Sequence, residues 1–128
     1  MIKEGCLEGV DEIYGLHNSP NFHEGDIRVK EGCMMAASSE VKIYVRGKGG
    51  HSSIPHKIND VINASMAILS NLHILKSRFL DSKENVVFSI CHVQSGHTYN
   101  VFPDEAFMEG TVRSYNEEVL KVVEEKIK

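Results

Sequence analysis

The stretch VRGKGGHSSIPHKIND, residues 45–60, sets two histidines, His51 and His56, on a flexible corner rich in glycine. Imidazole donates, accepts or takes up a proton near neutral pH, and it is also the commonest metal ligand. A tight metal site gathers several ligands, and no cysteine or carboxylate stands at ligand spacing beside this pair. Gly47, Gly49 and Gly50 let the backbone turn sharply, which brings the His51 ring out at the edge of the sheet that precedes it. The chemistry on offer is a presented hydrogen-bonding ring, not a chelate. His56 follows Pro55 just ahead of a helical pattern and suits a structural role, bracing the loop through a hydrogen bond to backbone.

The flanking periodicities say what must hold these residues. SEVKIYVRG alternates Val41, Ile43 and Val45 against Lys42, Tyr44 and Arg46, the mark of a half-buried strand. From Ile58 to about Phe79 the residues Ile58, Val61, Ile62, Ser65, Ile68, Leu69, Leu72 and Leu75 fall at three- and four-residue spacings. That spacing predicts a helix of about five to six turns, with Asn59 or Asp60 as its N-cap. NVVFSICHVQ is rich in β-branched and aromatic residues and reads as a second strand. DEAFMEGTVRSY alternates Ala106, Met108, Gly110 and Val112 against Glu105, Phe107, Glu109 and Arg113, a third strand with one wet face. Asn116 opens a last helix whose apolar stripe is Val119, Leu120, Val122, Val123 and Ile127.

This order, β-α-β-β-α, is a split β-α-β motif of the ferredoxin-like kind with its last strand missing. The expected class is α+β, a two-layer sandwich of an antiparallel sheet with two helices on one face. The first 35 residues read instead as turns and short strands, with MIKEGCLEGVDEIYG as a helix end running into a strand. Both ends are expected to be cut from a longer chain.

The totals exclude several classes. A chain of 128 residues has room for one domain, and 41% apolar with 25% charged residues is ordinary globular composition. A net charge of −4 without a Lys/Arg cluster argues against a nucleic-acid partner. No apolar run approaches the roughly 20 residues of a bilayer span, and the start lacks a signal-peptide pattern. No membrane partner and a cytoplasmic location are therefore expected. Cys6, Cys33 and Cys91 are far apart and odd in number, as suits buried thiols in a reducing compartment.

Four segments, DEIYGLHNSP, GCMMAAS, IYVRGKGGHSSIPH and GHTYNVFPDEAFMEGTVRSY, resemble one family in their order and approximate spacing. It is that of the metal-dependent N-acyl-amino-acid amidohydrolases, relatives of hippurate hydrolase and indole-acetyl-amino-acid hydrolase within the aminoacylase/carboxypeptidase metallopeptidase family. The resemblance implies a catalytic α/β domain carrying two divalent metal ions, zinc or else manganese, nickel or cobalt. An inserted smaller domain closes over that site and dimerises. Residues 37–128 resemble the lid and dimerisation domain, and residues 1–36 resemble a remnant of the catalytic domain with its hinge, where Cys33, Met34 and Met35 suit a joint. The parent would hydrolyse the amide bond of N-acyl amino acids. The His-Asp, Cys-Gly-His-Asp and Glu-Glu segments of the family are absent here, so this chain alone is expected to be inactive and to bind no metal tightly. The alternative is a stand-alone homodimerisation module with a lid-like fold and no hydrolase activity, since fold alone decides no function. GLHNSP ahead of the first strand argues against it.

Residue by residue, the resemblance makes His17 a metal ligand at the end of a strand, and imidazole suits borderline divalent ions. It makes His51 a catalytic residue that reaches into the other subunit's site, donating a ring N–H to the oxyanion formed as a metal-bound water attacks the amide carbonyl. Asn100 and Arg113 match positions that hold the substrate's carboxylate, for which the planar guanidinium fork is well shaped. On the residues alone, Arg113 is equally a solvated strand residue paired with Glu109 or Glu105. Asn100 is equally a turn former before an extended VFP. His97 stands where relatives often carry Gly or Thr and takes no role, while His23, His73 and His92 carry no motif and read as surface or packing residues. The implied partners are a second copy, joined through the lid, and a small N-acyl amino acid.

Overall fold

In the computed structural model, which describes residues 2–128, the chain divides into two compact units, one ending at Lys30 and one spanning Glu31–Lys128. The first unit holds a short 3-10 turn, Ile2–Glu4, and otherwise turns and irregular backbone. The short strands expected there do not form. An extended segment is stable only when another strand takes up its backbone groups, and none does so among the described residues of this unit; Leu16 stays 92% exposed.

The second unit runs β1 (Ala37–Arg46), β2 (Gly50–His51), α1 (Val61–Phe79), β3 (Val86–Ser95), β4 (Val101–Phe102), β5 (Glu105–Ser114) and α2 (Glu117–Ile127). β1, β5 and β3 make an antiparallel sheet in that order, with β5 in the middle. The central place suits β5, whose inward residues Ala106, Met108, Gly110 and Val112 are all buried. Gly110 is required by proximity: a Cβ there would lie 1.9 Å from the Ser89 carbonyl oxygen. β1 is half-buried at Val41, Ile43 and Val45 and exposed at Lys42, Tyr44 and Arg46, as its alternation predicts.

α1 starts at Val61, three residues after the first apolar position of its stripe. Pro55–Lys57 winds a separate 3-10 turn, and the Asn59 N–H donates to the Lys48 carbonyl at 2.8 Å, so that backbone is committed elsewhere. Of the two candidate caps, Asp60 takes the part. Its Oδ1 accepts from the N–H groups of Ile62 and Asn63, each at 3.0 Å, covering two of the helix's free donors. Asn116 caps α2 by accepting from the Glu118 N–H at 3.0 Å.

Leu72 and Leu75 of α1, Val86 of β3, Val112 of β5, and Val119 and Val123 of α2 form the core between helices and sheet. Each such side chain contributes about 1.5–3 kcal/mol of burial. The result is a two-layer α+β sandwich of the expected kind. Among the described residues, no strand lies on the outer edge of β1 or of β3, and no helix is long and apolar enough to cross a membrane. The cysteines depart from expectation, since Cys6, Cys33 and Cys91 are all exposed thiols. For Cys91 the cause is local: the β3 register shifts between Ile90 and His92, and such a bulge leaves its extra residue unpaired and breaks the in-out alternation.

Candidate functional site

The corner after β1 is stitched rather than flexible. The Gly47 N–H donates to the Asp104 carbonyl at 2.8 Å, and the Gly49 N–H donates to Asp104 Oδ1 at 2.7 Å. β2 and β4 then pair antiparallel, Gly50 with Phe102 and His51 with Val101, and the Ser52 N–H extends the ribbon to the Asn100 carbonyl at 3.0 Å. An Arg46–Glu105 ion pair of 2.9 Å closes its base. Gly49 shows why glycine stands here: a Cβ would sit 2.2 Å from the Phe102 carbonyl oxygen. The need is for close approach of two backbones, not for mobility.

This ribbon presents His51. The ring is exposed, and its Nδ1 lies 2.8 Å from Ser53 Oγ and 3.2 Å from the Ser53 backbone N–H nitrogen. Asn100 lies opposite Ser52 across the ribbon, its Oδ1 accepting from the Thr98 hydroxyl at 3.3 Å. The ribbon thus sets His51 and Asn100 on neighbouring rungs of the backbone, His51 opposite Val101 and Asn100 opposite Ser52. A cavity of about 470 Å³ opens along β4 and the end of β3, lined among others by Gln94, His97, Val101, Phe102 and Phe107; neither His51 nor Asn100 lines it.

Arg113 is elsewhere. It lies on β5 between Ser38 and Val87, eight residues beyond Glu105, hence roughly 27 Å along the strand from the ribbon's base. The carboxylates that offered it an ordinary surface pairing are engaged, Glu105 with Arg46 and Glu109 with His92 at 3.0 Å. Arg113 is exposed and has no ion-pair partner among the described residues. His92 also stands edge-on to Phe107 at 5.8 Å, a surface role. His56 is exposed and its ring makes no hydrogen bond among the described residues. The bracing expected of it falls instead to backbone, Lys57 N–H to Ile54 and Ile58 N–H to Pro55.

His17 lies on irregular backbone in the first unit, exposed, not at a strand end. Its Nδ1 is 2.6 Å from the Asn18 carbonyl oxygen. A carbonyl only accepts, so Nδ1 carries the proton and Nε2 keeps a free lone pair. That is the tautomer a ligating imidazole needs. Among the described residues, no three histidine, cysteine, aspartate or glutamate side chains gather as a metal site, so this donor set does not by itself fit the dinuclear centre that the resemblance implies.

Two residues escaped the sequence reading. Asp104 clasps the corner with both its side chain and its carbonyl, and Ser53 holds the His51 ring. The available signals were weak: an aspartate behind proline ahead of a strand, and a small hydroxyl residue two places after a histidine.

The peptidase dimerisation domain family matches residues 36–128. The N-acetylcysteine deacetylase of Bacillus subtilis is 44% identical over 125 residues, 98% of this chain and 33% of that protein. The N-acetyldiaminopimelate deacetylase of Listeria welshimeri is 36% identical over 118 residues, 92% of this chain and 32% of that protein. The chain therefore spans about a third of the length of these relatives. A crystal structure from methicillin-resistant Staphylococcus aureus superimposes with a TM-score of 0.82 at 32% identity, covering 98% of this chain and 34% of its own. A dinuclear metal-binding peptidase from Bacillus subtilis does so with a TM-score of 0.65 at 36% identity, covering 98% and 30%.

Proposed function

This chain belongs to the peptidase dimerisation domain family, and on that premise we propose that it is the lid and dimerisation domain of a metal-dependent amidohydrolase. The parent protein cleaves the amide bond of N-acyl amino acids, the substrate class suggested by its deacetylase relatives. One observation carries the reading: an exposed imidazole on a stitched ribbon whose base lies roughly 27 Å along β5 from an unpaired arginine. No single copy brings both ends to one small substrate. Two copies do, if the ribbon of one meets the Arg113 end of the other.

In that arrangement His51 donates a ring N–H to the oxyanion that forms when water adds to the amide carbonyl. Arg113 binds the substrate's carboxylate through its fork, and Asn100 adds a further hydrogen bond. The parent would hold two divalent ions, zinc foremost, a reading supported by the dinuclear relative. His17 offers them one Nε2 lone pair, and the remaining ligands would come from residues outside this chain. The second copy is best received along the bare edge of β3 and the neighbouring face of α1. Ile62, Met66 and Val93 stand exposed there, Met66 at 64%, and an open strand edge readily pairs with another chain. A reducing, cytoplasmic location suits three free exposed thiols.

The test is hydrolysis of a panel of N-acetyl amino acids by the full-length protein with divalent metal. His51→Ala is expected to lower kcat about 100- to 1,000-fold, and the 128-residue chain alone to hydrolyse nothing. A full-length protein without amidase activity would favour a stand-alone dimerisation module instead. A His51→Ala variant of undiminished kcat would remove His51 from the chemistry.

A further inference from the structure

The reading above needs a proton on the outward nitrogen of His51, and the loop contains a device that puts it there. A backbone N–H can only donate. The Ser53 N–H points at His51 Nδ1 over 3.2 Å, so Nδ1 must offer its lone pair. A neutral imidazole carries one ring proton, which then resides on Nε2. Ser53 Oγ lies 2.8 Å from the same Nδ1; a hydroxyl can donate or accept, and facing a bare nitrogen it donates. The Ile54 N–H donates to the His51 carbonyl at 3.1 Å, closing the turn that keeps Ser53 under the ring. His17 supplies the contrast, because its Nδ1 faces a carbonyl oxygen at 2.6 Å and so takes the opposite tautomer. Two histidines of one chain are set in opposite senses by their immediate surroundings, one to donate through Nε2 and one to ligate through it.

We propose that Ser53 is a positioning residue for His51. Its amide and hydroxyl together hold the ring as the Nε2–H tautomer and make that nitrogen the hydrogen-bond donor of the site. The inference rests on the reading of His51 as a donor, but it concerns the ring itself and can be measured without catalysis. It also explains why a small hydroxyl residue stands two places after the histidine: a longer side chain could not place its polar atom under Nδ1 within the same tight turn.

The experiment is nitrogen-edited NMR of the histidine rings in the 128-residue chain, at mildly alkaline pH where imidazole is neutral. It compares the parent sequence with Ser53→Ala, Ser53→Gly and Ser53→Thr. A free imidazole already leans toward Nε2–H, so the comparison carries the test and His56, whose ring has no partner in the same loop, is the internal reference. His51 is expected almost wholly as Nε2–H. Ser53→Ala and Ser53→Gly are expected to lower the ratio of Nε2–H to Nδ1–H about fivefold, the factor commanded by one net hydrogen bond of about 1 kcal/mol. Ser53→Thr is expected to restore the ratio, and His56 to stay constant throughout. A majority of Nδ1–H at His51 in the parent sequence would overturn the proposal. So would a ratio indifferent to loss of the hydroxyl, which would leave Ser53 as mere loop. An inactive full-length protein would refute the hydrolase reading while leaving these ratios as they are, so the two failures are distinguishable.

Discussion

Gly49→Ala should open the ribbon while leaving the core in place. The backbone at Gly49 is not left-handed, so the obstacle is purely spatial. The added Cβ would lie 2.2 Å from the Phe102 carbonyl oxygen, whereas a C···O contact settles at about 3.3–3.6 Å. β2 must retreat from β4 by about 1.1 Å or more, which stretches the Gly49–Asp104 bond of 2.7 Å and the Ser52–Asn100 bond of 3.0 Å beyond useful range. The first has a carboxylate acceptor and contributes about 1.5–3 kcal/mol net, the second about 0.5–1.5, so the loss is about 2–4.5 kcal/mol. It should stay local, because the core residues lie between the helices and the three-stranded sheet. Amide hydrogen exchange measures it directly. Protection of the Ser52 amide should fall about 30-fold or more, the equivalent of 2 kcal/mol, while the amides of central β5 keep theirs. A Ser52 amide as protected in the variant as in the parent would show that the two backbones do not approach as described, and the positioning of His51 would lose its basis.

Two further expectations concern the scaffold. Met108 is fully buried at 0% exposure, so Met108→Ala should lower unfolding free energy by about 2–5 kcal/mol, read from urea denaturation; a loss below 1 kcal/mol would contradict its place on the central strand. On α2, the hydrogen bond and charge of Lys128 hold the Glu124 carboxyl below its usual range. A depressed carboxyl pKa stabilises the fold above the unfolded-state pKa, and that contribution is lost as pH falls through the folded value. Lys128→Met should therefore move the Glu124 titration, followed by carboxyl NMR, up toward the ordinary carboxylate range. With both groups exposed, the effect on stability should be slight and should shrink further in salt; an unmoved titration would deny the pair.

The main elements were legible because their periods differ. The two-residue alternation of Val41, Ile43 and Val45 and the three-four spacing of Val61, Ser65, Leu72 and Leu75 each leave a distinct trace, and Asp60 and Asn116 mark helix starts by their chemistry. The ribbon was not legible. A pairing of two residues with two has no period to read, and its clasp, Asp104, lies far along the chain from the glycines it holds. Cys91 was misjudged because a one-residue bulge undoes the alternation that burial arguments rely on. The strands imagined near His17 failed because strand formation is a property of pairs, and local composition cannot supply the neighbour. For the site, the presentation of His51 followed from its glycines. The long separation from Arg113 became visible only when Arg113 was placed eight residues along a single straight strand.

That separation can be tested with two inactive variants of the full-length protein, His51→Ala and Arg113→Ala, unfolded or dissociated together and allowed to reassemble. If each site takes His51 from one subunit and Arg113 from the other, half the dimers are mixed and one of the two sites in each is intact. Activity should then return to about one quarter of the parent's, as statistical pairing in a two-fold dimer requires. Mixtures as inactive as their components would mean that both residues serve the same subunit's site, and the division of labour between two copies would be wrong.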